Sequence, residues 1–246
     1  MILALRNQLA EWILSALERE QDEGPIRALL AFVQTADPGG VAADISADDA
    51  VALSGGRGLF ERTDAGLRLR ADLAGDFAAL RDRTFRAREA VNLCRKRCGP
   101  SPAPHDSRAA RFSGGPPSSA ELAWALCAAD ALFNAGLFFE VHEILEPLWR
   151  RAEGDLRPFL QGLVQVAVGL HHWSTGNLRG AASLLADGNA KLRRFRPEAW
   201  GVELATFCAD VERAENAVND RMAGREPPDL PEARLRLKIR MAATAK

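Results

Sequence analysis

Three of the four histidines, and most of the side chains suited to chemistry, fall between Phe139 and His172. His142 and Glu146 are four residues apart, about 40° around a helix, so a helix shows both on one face. Glu143 lies beside them. Further on, Gln161, Gln165 and His172 project within about 40° of one another at 3.6 residues per turn, on a stripe flanked by Leu160, Val164 and Val168. Imidazole with carboxylate suits a first-row divalent metal such as zinc, manganese or iron, which would take His142, Glu146 and His172 as ligands. The same chemistry serves acid–base catalysis, with His142, Glu143, Glu146 and His172 as candidates and a glutamate tuning a histidine. Phe139, Trp149, Gln161 and Gln165 would line a ligand site beside them. A third reading is a hydrogen-bonded polar network that serves the fold alone, since buried polar groups find partners or cost about 1–3 kcal/mol each. His142-Glu143-Ile144-Leu145-Glu146 lacks the second histidine of His-Glu-x-x-His, and it is not the Glu-x-x-His pair of di-iron bundles.

Five helices must position these residues. Ser119 reads as the cap of the first, with Leu122, Leu126, Ala129 and Phe133 on one face, closed by Asn134-Ala135-Gly136. The second runs from about Phe138 to Arg151 with Pro147 bending it. Asp155 reads as the cap of the third, which holds Pro158 in its first turn and ends near Trp173. The fourth opens at Asn177 and runs to about Phe195; the fifth spans Glu198 to Met222. After it, Leu235, Leu237, Ile239 and Met241 alternate with Arg234, Arg236, Lys238 and Arg240, the period of an exposed edge strand. Such an edge pairs with a hairpin or with a second copy of the chain, so a homo-oligomer is among the expected assemblies.

The segment Gly99–Ser119 holds five prolines, three glycines and five serines in 21 residues. It buries too little apolar surface to offset its ordering entropy, and reads as a flexible linker with His105 solvated in it. Three parts follow: 1–98, a linker 99–119, and a helical domain 120–246 with a basic tail. In the first part, Leu3 to Leu17 recur at helical spacing, Gly24-Pro25 is expected to stop that helix, and Ile26 to Val33 form another. An Asp37-Pro38-Gly39-Gly40 turn follows. Gly58–Thr63, Asp64–Gly66 and Leu67–Arg70 read as strand, turn, strand, like the wing of a winged helix. Only one helix, about Ser46 to Leu53, lies between Thr35 and Gly58, where that motif needs two. From Phe77 to Cys98 a helix carries a narrow seam of Leu80, Thr84, Ala87, Val91 and Cys94. Its other faces carry seven basic residues between Arg81 and Arg97 against Asp82 and Glu89. They could follow a phosphate backbone or form a solvated face.

A formal net charge of −1 gives no whole-protein attraction to nucleic acid or membrane. No apolar run approaches the roughly 18–20 residues that cross a bilayer. Met1–Ala10, broken by Arg6, Asn7 and Gln8, does not read as a signal peptide. Four scattered cysteines read as thiols of a cytoplasmic protein.

The run Phe133-Asn134-Ala-Gly136-Leu-Phe138-Phe139-Glu140-Val-His142-Glu143-Ile-Leu-Glu146-Pro-Leu-Trp149-Arg150 is followed by Phe159-Leu-Gln161-Gly162-Leu-Val-Gln165, His171-His172, Gly176-Asn177 and Gly180-Ala181. Together these closely resemble the Domain of Unknown Function 309 family, over about Leu126 to Phe195. The resemblance implies a small multihelical fold and no particular reaction. It places the family motif on Phe139, His142, Glu143, Glu146, Trp149, Gln161, Gln165 and His172. The first 98 residues lie outside it.

The expected fold is mainly α: a C-terminal multihelical bundle and a separate N-terminal α+β domain of degenerate winged-helix type. The leading functional reading is a ligand- or partner-binding regulatory module. A metal-dependent or acid–base hydrolase on the same cluster and a purely structural module are the alternatives, so enzymatic activity is left open.

Overall fold

The computed structural model describes residues 1, 3–37, 40–54, 58–102, 109–226 and 236–238. The fold is mainly α, and the chain divides into two units, Met1–Pro104 and His105–Lys246.

In the first unit, α1 (Leu3–Glu18) buries Leu5, Leu9, Ile13 and Leu17, the residues that recur at helical spacing. The expected stop at Gly24-Pro25 is instead a start. α1 ends at Glu18, a turn spans Glu20–Glu23, and Pro25 lies in the first turn of α2 (Gly24–Thr35). Proline is tolerated there because its missing N–H has no helical partner to lose. β1 (Val41–Ala42) precedes α3 (Ala47–Ser54). Ser46 caps α3, taking the Asp49 N–H at 3.1 Å and donating its hydroxyl to the Asp49 carboxylate at 2.7 Å. β2 (Phe60–Thr63) and β3 (Gly66–Leu69) form the expected hairpin, with Thr63 opposite Gly66, and the antiparallel sheet runs β1-β3-β2. Gly66 is required by that order, because a Cβ on it would sit 2.2 Å from the Ala42 carbonyl oxygen of β1. α4 (Phe77–Cys98) buries Phe77, Leu80, Thr84, Ala87, Val91 and Cys94 along the expected seam. Phe32 of α2 meets Phe60 and Phe77 edge-on, at centroid distances of 5.0 and 6.2 Å.

In the second unit, α5 (Ser119–Asn134) is buried almost all round. Its cap is Ser118 rather than Ser119, since Ser118 Oγ accepts the Glu121 N–H at 3.2 Å. α6 (Phe138–Arg151) has the expected bounds. Pro147 inside it removes the N–H that would close on the Glu143 carbonyl. α7 (Leu156–Ser174) follows a short connection, and the Asp155 side chain, at its cap position, makes no capping bond. α8 (Leu178–Leu192) is capped by Asn177 as expected, but ends three residues short of Phe195, in a tighter turn over Arg193–Phe195.

A helix was expected from Glu198. Instead β4 (Glu198–Ala199) and β5 (Val202–Glu203) make a small hairpin, and α9 (Leu204–Met222) starts after it. Pro197 precedes this hairpin and Gly201 lies in its turn beside Trp200, whose ring packs at a tilt against Phe159 with centroids 4.5 Å apart. The core centres on Phe133, whose ring meets Phe138 at 5.2 Å and Phe207 at 5.5 Å. α7 and α8 touch backbone to backbone: a Cβ on Gly188 would lie 2.9 Å from the Gly162 carbonyl oxygen.

The second half of the expected linker is held against α6. Arg150 lies 5.3 Å over the Phe112 ring, and Arg151 Nη1 donates to the Gly115 carbonyl at 3.1 Å. Its middle, with His105, lies outside the described residues. Of the alternating tail only Arg236–Lys238 is described, and these residues are in no sheet. Leu237 is buried, Asn134 binds its backbone, and the Glu203 N–H donates to the Lys238 carbonyl at 3.0 Å.

Cys94 and Cys208 are buried thiols. No helix among the described residues is long and apolar enough to cross a membrane.

Candidate functional site

The site is built on α6. Its charges suit the helix ends, with Glu140 in the first turn and Arg150 and Arg151 in the last. Val141, Ile144, Leu145 and Leu148 turn into the core and fix the helix's rotation. That rotation leaves Phe139, His142, Glu146 and Trp149 half-buried, while Glu143 is buried.

His142 stands between the two carboxylates. Its Nδ1 is 3.3 Å from Glu143 Oε1, and its Nε2 is 3.3 Å from Glu146 Oε2. Among the described residues, His142, Glu143 and Glu146 form a group of possible ligands whose donor atoms lie within 4.8 Å of one another. The other oxygen of Glu146, Oε1, accepts from Arg150 Nη2 at 2.7 Å and Nε at 3.0 Å. Arg150 was not among the expected site residues, although its i,i+4 spacing from Glu146 was there to be read.

α7 forms the other wall. The rings of Phe139 and His171 are 5.7 Å apart. A short connection joins the two helices, and Gln161 and Gln165 of α7 are half-buried.

Three polar atoms on the two helices are buried without a hydrogen-bond partner: His142 Nδ1, Trp149 Nε1 and Gln165 Oε1.

His172 stands apart from the group of three. Its Nδ1 is 3.1 Å from Asn177 Nδ2. Asn177 Oδ1 accepts the Gly180 N–H at 3.1 Å, which fixes the amide's orientation. Asn177 therefore donates to the His172 ring, which ties His172 to the start of α8. On α7, His171 brings its ring to Phe139, which His142 of α6 also meets, at 6.1 Å.

The basic faces of α4 are partly engaged within their own unit. Arg88 and Arg95 both pair with Glu23, Arg95 Nη2 also donates to the Ala16 carbonyl at 3.0 Å, and Arg86 pairs with Asp82 at 2.9 Å.

Comparison with known families finds a match over the α6–α7 pair. Residues 126–184 match the family described as Domain of unknown function (DUF309). The matched DUF309 segment takes in the end of α5, all of α6 and α7, and the first part of α8, and so the whole cluster. It stops short of Phe195, the expected limit, and includes none of the first unit. No curated protein and no solved structure matches the chain.

Proposed function

We propose that the DUF309 segment is a ligand-binding module whose site is the α6–α7 face of Phe139, His142, Glu143, Glu146, Trp149, Gln161 and Gln165. The observation that carries this reading is the set of buried polar atoms without partners at His142, Trp149 and Gln165. A network kept for the fold alone would pair its own atoms, because each unpaired buried group costs about 1–3 kcal/mol. Unmet hydrogen-bonding capacity on two facing helices is instead the property of a surface that receives a ligand.

The test is the stability of His142→Ala and Glu146→Gln in the full chain. A binding face gives up little fold stability, so both variants keep their helical circular dichroism and melt within about 3 °C of the parent. Loss of more than about 3 kcal/mol in either variant, the cost of breaking a buried charged pair, would instead assign the cluster to the fold. For the first unit, contact with a nucleic-acid backbone through Arg81 to Arg97 is the lesser reading, because Arg86, Arg88 and Arg95 already hold carboxylate partners.

A further inference from the structure

We propose that the turn of the β4–β5 hairpin is a stacking platform for single-stranded nucleic acid, with Trp200 taking a base and Arg194 and Arg196 taking the phosphates beside it. The surface shares no residue with the α6–α7 face and does not depend on the reading given to that face.

The turn is built against local preference. Glu198 pairs with Glu203 and Ala199 with Val202, so the hairpin closes on two residues, Trp200 and Gly201. Both have positive φ, 46° and 76°. Glycine, asparagine and aspartate suit such a two-residue loop, whereas a bulky side chain there is strained. Gly201 meets that demand and Trp200 does not. The indole packs at a tilt on Phe159 and meets the Phe195 ring edge-on. Covering Phe159 uses only part of it, because 40% of Trp200 stays exposed. Trp12 and Trp124, which fill the cores, are 8% and 6% exposed.

The charge beside the ring is positive. Lys191, Arg193, Arg194 and Arg196 stand against one carboxylate, Glu198, in the ten residues that end at Trp200. Arg193 is taken by Glu212. Arg194 and Arg196 are exposed and make no ion pair among the described residues. Phe195 links Arg194 to the tryptophan: its ring centre lies 5.9 Å from Arg194 Cζ and 5.7 Å from the indole.

An exposed ring with guanidinium groups a short step away has both parts that single-strand binding needs. Any base stacks on the ring, and arginine holds phosphate through its planar fork. A duplex keeps its base faces stacked inside and meets charge alone. A bilayer fits less well, because lying in its interface takes a broad apolar face. Among the described residues of this unit, only Trp200 and Met222 are exposed large apolar side chains.

The experiment is fluorescence anisotropy of a labelled oligothymidylate of about ten nucleotides, a length within the usual single-strand site sizes, titrated with the full chain. The matching duplex and phosphatidylglycerol vesicles are run beside it. Single-strand binding is expected at about 50 mM salt, about sevenfold weaker at 200 mM, the loss for two neutralised phosphates. Trp200→Leu, which keeps an apolar cover over Phe159 but offers no ring, should weaken it about tenfold. Arg194→Gln/Arg196→Gln should weaken it and flatten the salt dependence. No binding at about 50 mM salt, equal binding of the duplex, or full binding in Trp200→Leu would each overturn the proposal. If Trp200→Leu loses its fold, the arginine pair decides, and unchanged binding in that exposed pair would overturn the proposal equally. Capture by the vesicles without oligonucleotide binding would overturn it in favour of a membrane surface.

Discussion

Asn134 and Leu237, 103 positions apart, are joined through both polar atoms of the asparagine side chain. Asn134 Nδ2 donates to the Leu237 carbonyl at 3.0 Å, and Asn134 Oδ1 accepts the Leu237 N–H at 3.1 Å. A side-chain amide here does what a neighbouring strand does for a peptide unit. Arg236 returns the contact by donating to the Asn134 carbonyl at 2.9 Å.

Asn134→Ala removes both bonds and releases a buried leucine. Two hydrogen bonds at about 1 kcal/mol each, and part of the apolar burial of Leu237, amount to roughly 2–4 kcal/mol. Hydrogen exchange should show the Leu237 amide protected in the parent and exchanging as an open chain in the variant. Equal protection in both proteins would mean that the apolar contact alone holds the tail.

Gly188→Ala should destabilise the second unit by about 1–3 kcal/mol, because its Cβ would come within 2.9 Å of the Gly162 carbonyl, and backbone yields poorly. Gly115→Ala is the matched control. Nothing lies within 4 Å of its Cβ, and its melting temperature should not fall. Thermal unfolding of the two variants side by side gives the comparison.

Burial pushes the Cys94 thiol up from 9.0 to about 11, against the opposing pull of Arg95 and Arg97. The unfolded chain loses this proton near pH 9, whereas the folded chain holds it to about pH 11. The folded state therefore binds more protons in that window, and stability falls as pH rises through it. The full effect is about 2–3 kcal/mol at 1.36 kcal/mol per unit. Urea melts at pH 8 and pH 11 should show a smaller loss in Cys94→Ala than in the parent. An identical loss would show that the thiol takes no part.

With Arg86, Arg88 and Arg95 committed to Asp82 and Glu23, the full chain is expected not to retard duplex DNA, even at about 50 mM salt, where phosphate contacts are strongest. Retardation that weakens on raising the salt, and is lost in Arg81→Ala/Lys96→Ala, would restore the nucleic-acid reading of α4.

The parts legible from the sequence are those with a strong period. The seam of α4, the bounds of α6 and the Phe60–Leu69 hairpin were readable because each repeats a spacing over several residues. The β4–β5 hairpin was not, since two strands of two residues have no period and only Pro197 and Gly201 signal them. Ser118 and Ser119 are equally good caps by type, and only the path of the chain chooses between them. The face of His142 and Glu146 followed from a four-residue step. The role of His171 did not, because it depends on the register between two helices, and a single helix's spacing holds no record of its neighbour. The linker misled through its composition: prolines and glycines suggested freedom, while Arg150 and Arg151 supplied the anchors for Phe112 and Gly115.

The two walls of the site differ in stiffness. α7 is braced along its length by the glycine contact with α8, and Asn177 pins the corner between them. α6 contains Pro147, and so lacks a rung of its ladder beside the carbonyl of Glu143. A load placed between the helices is therefore taken up by the α6 side, as a jaw closes on an anvil. The residues that grip are carried on the part that gives.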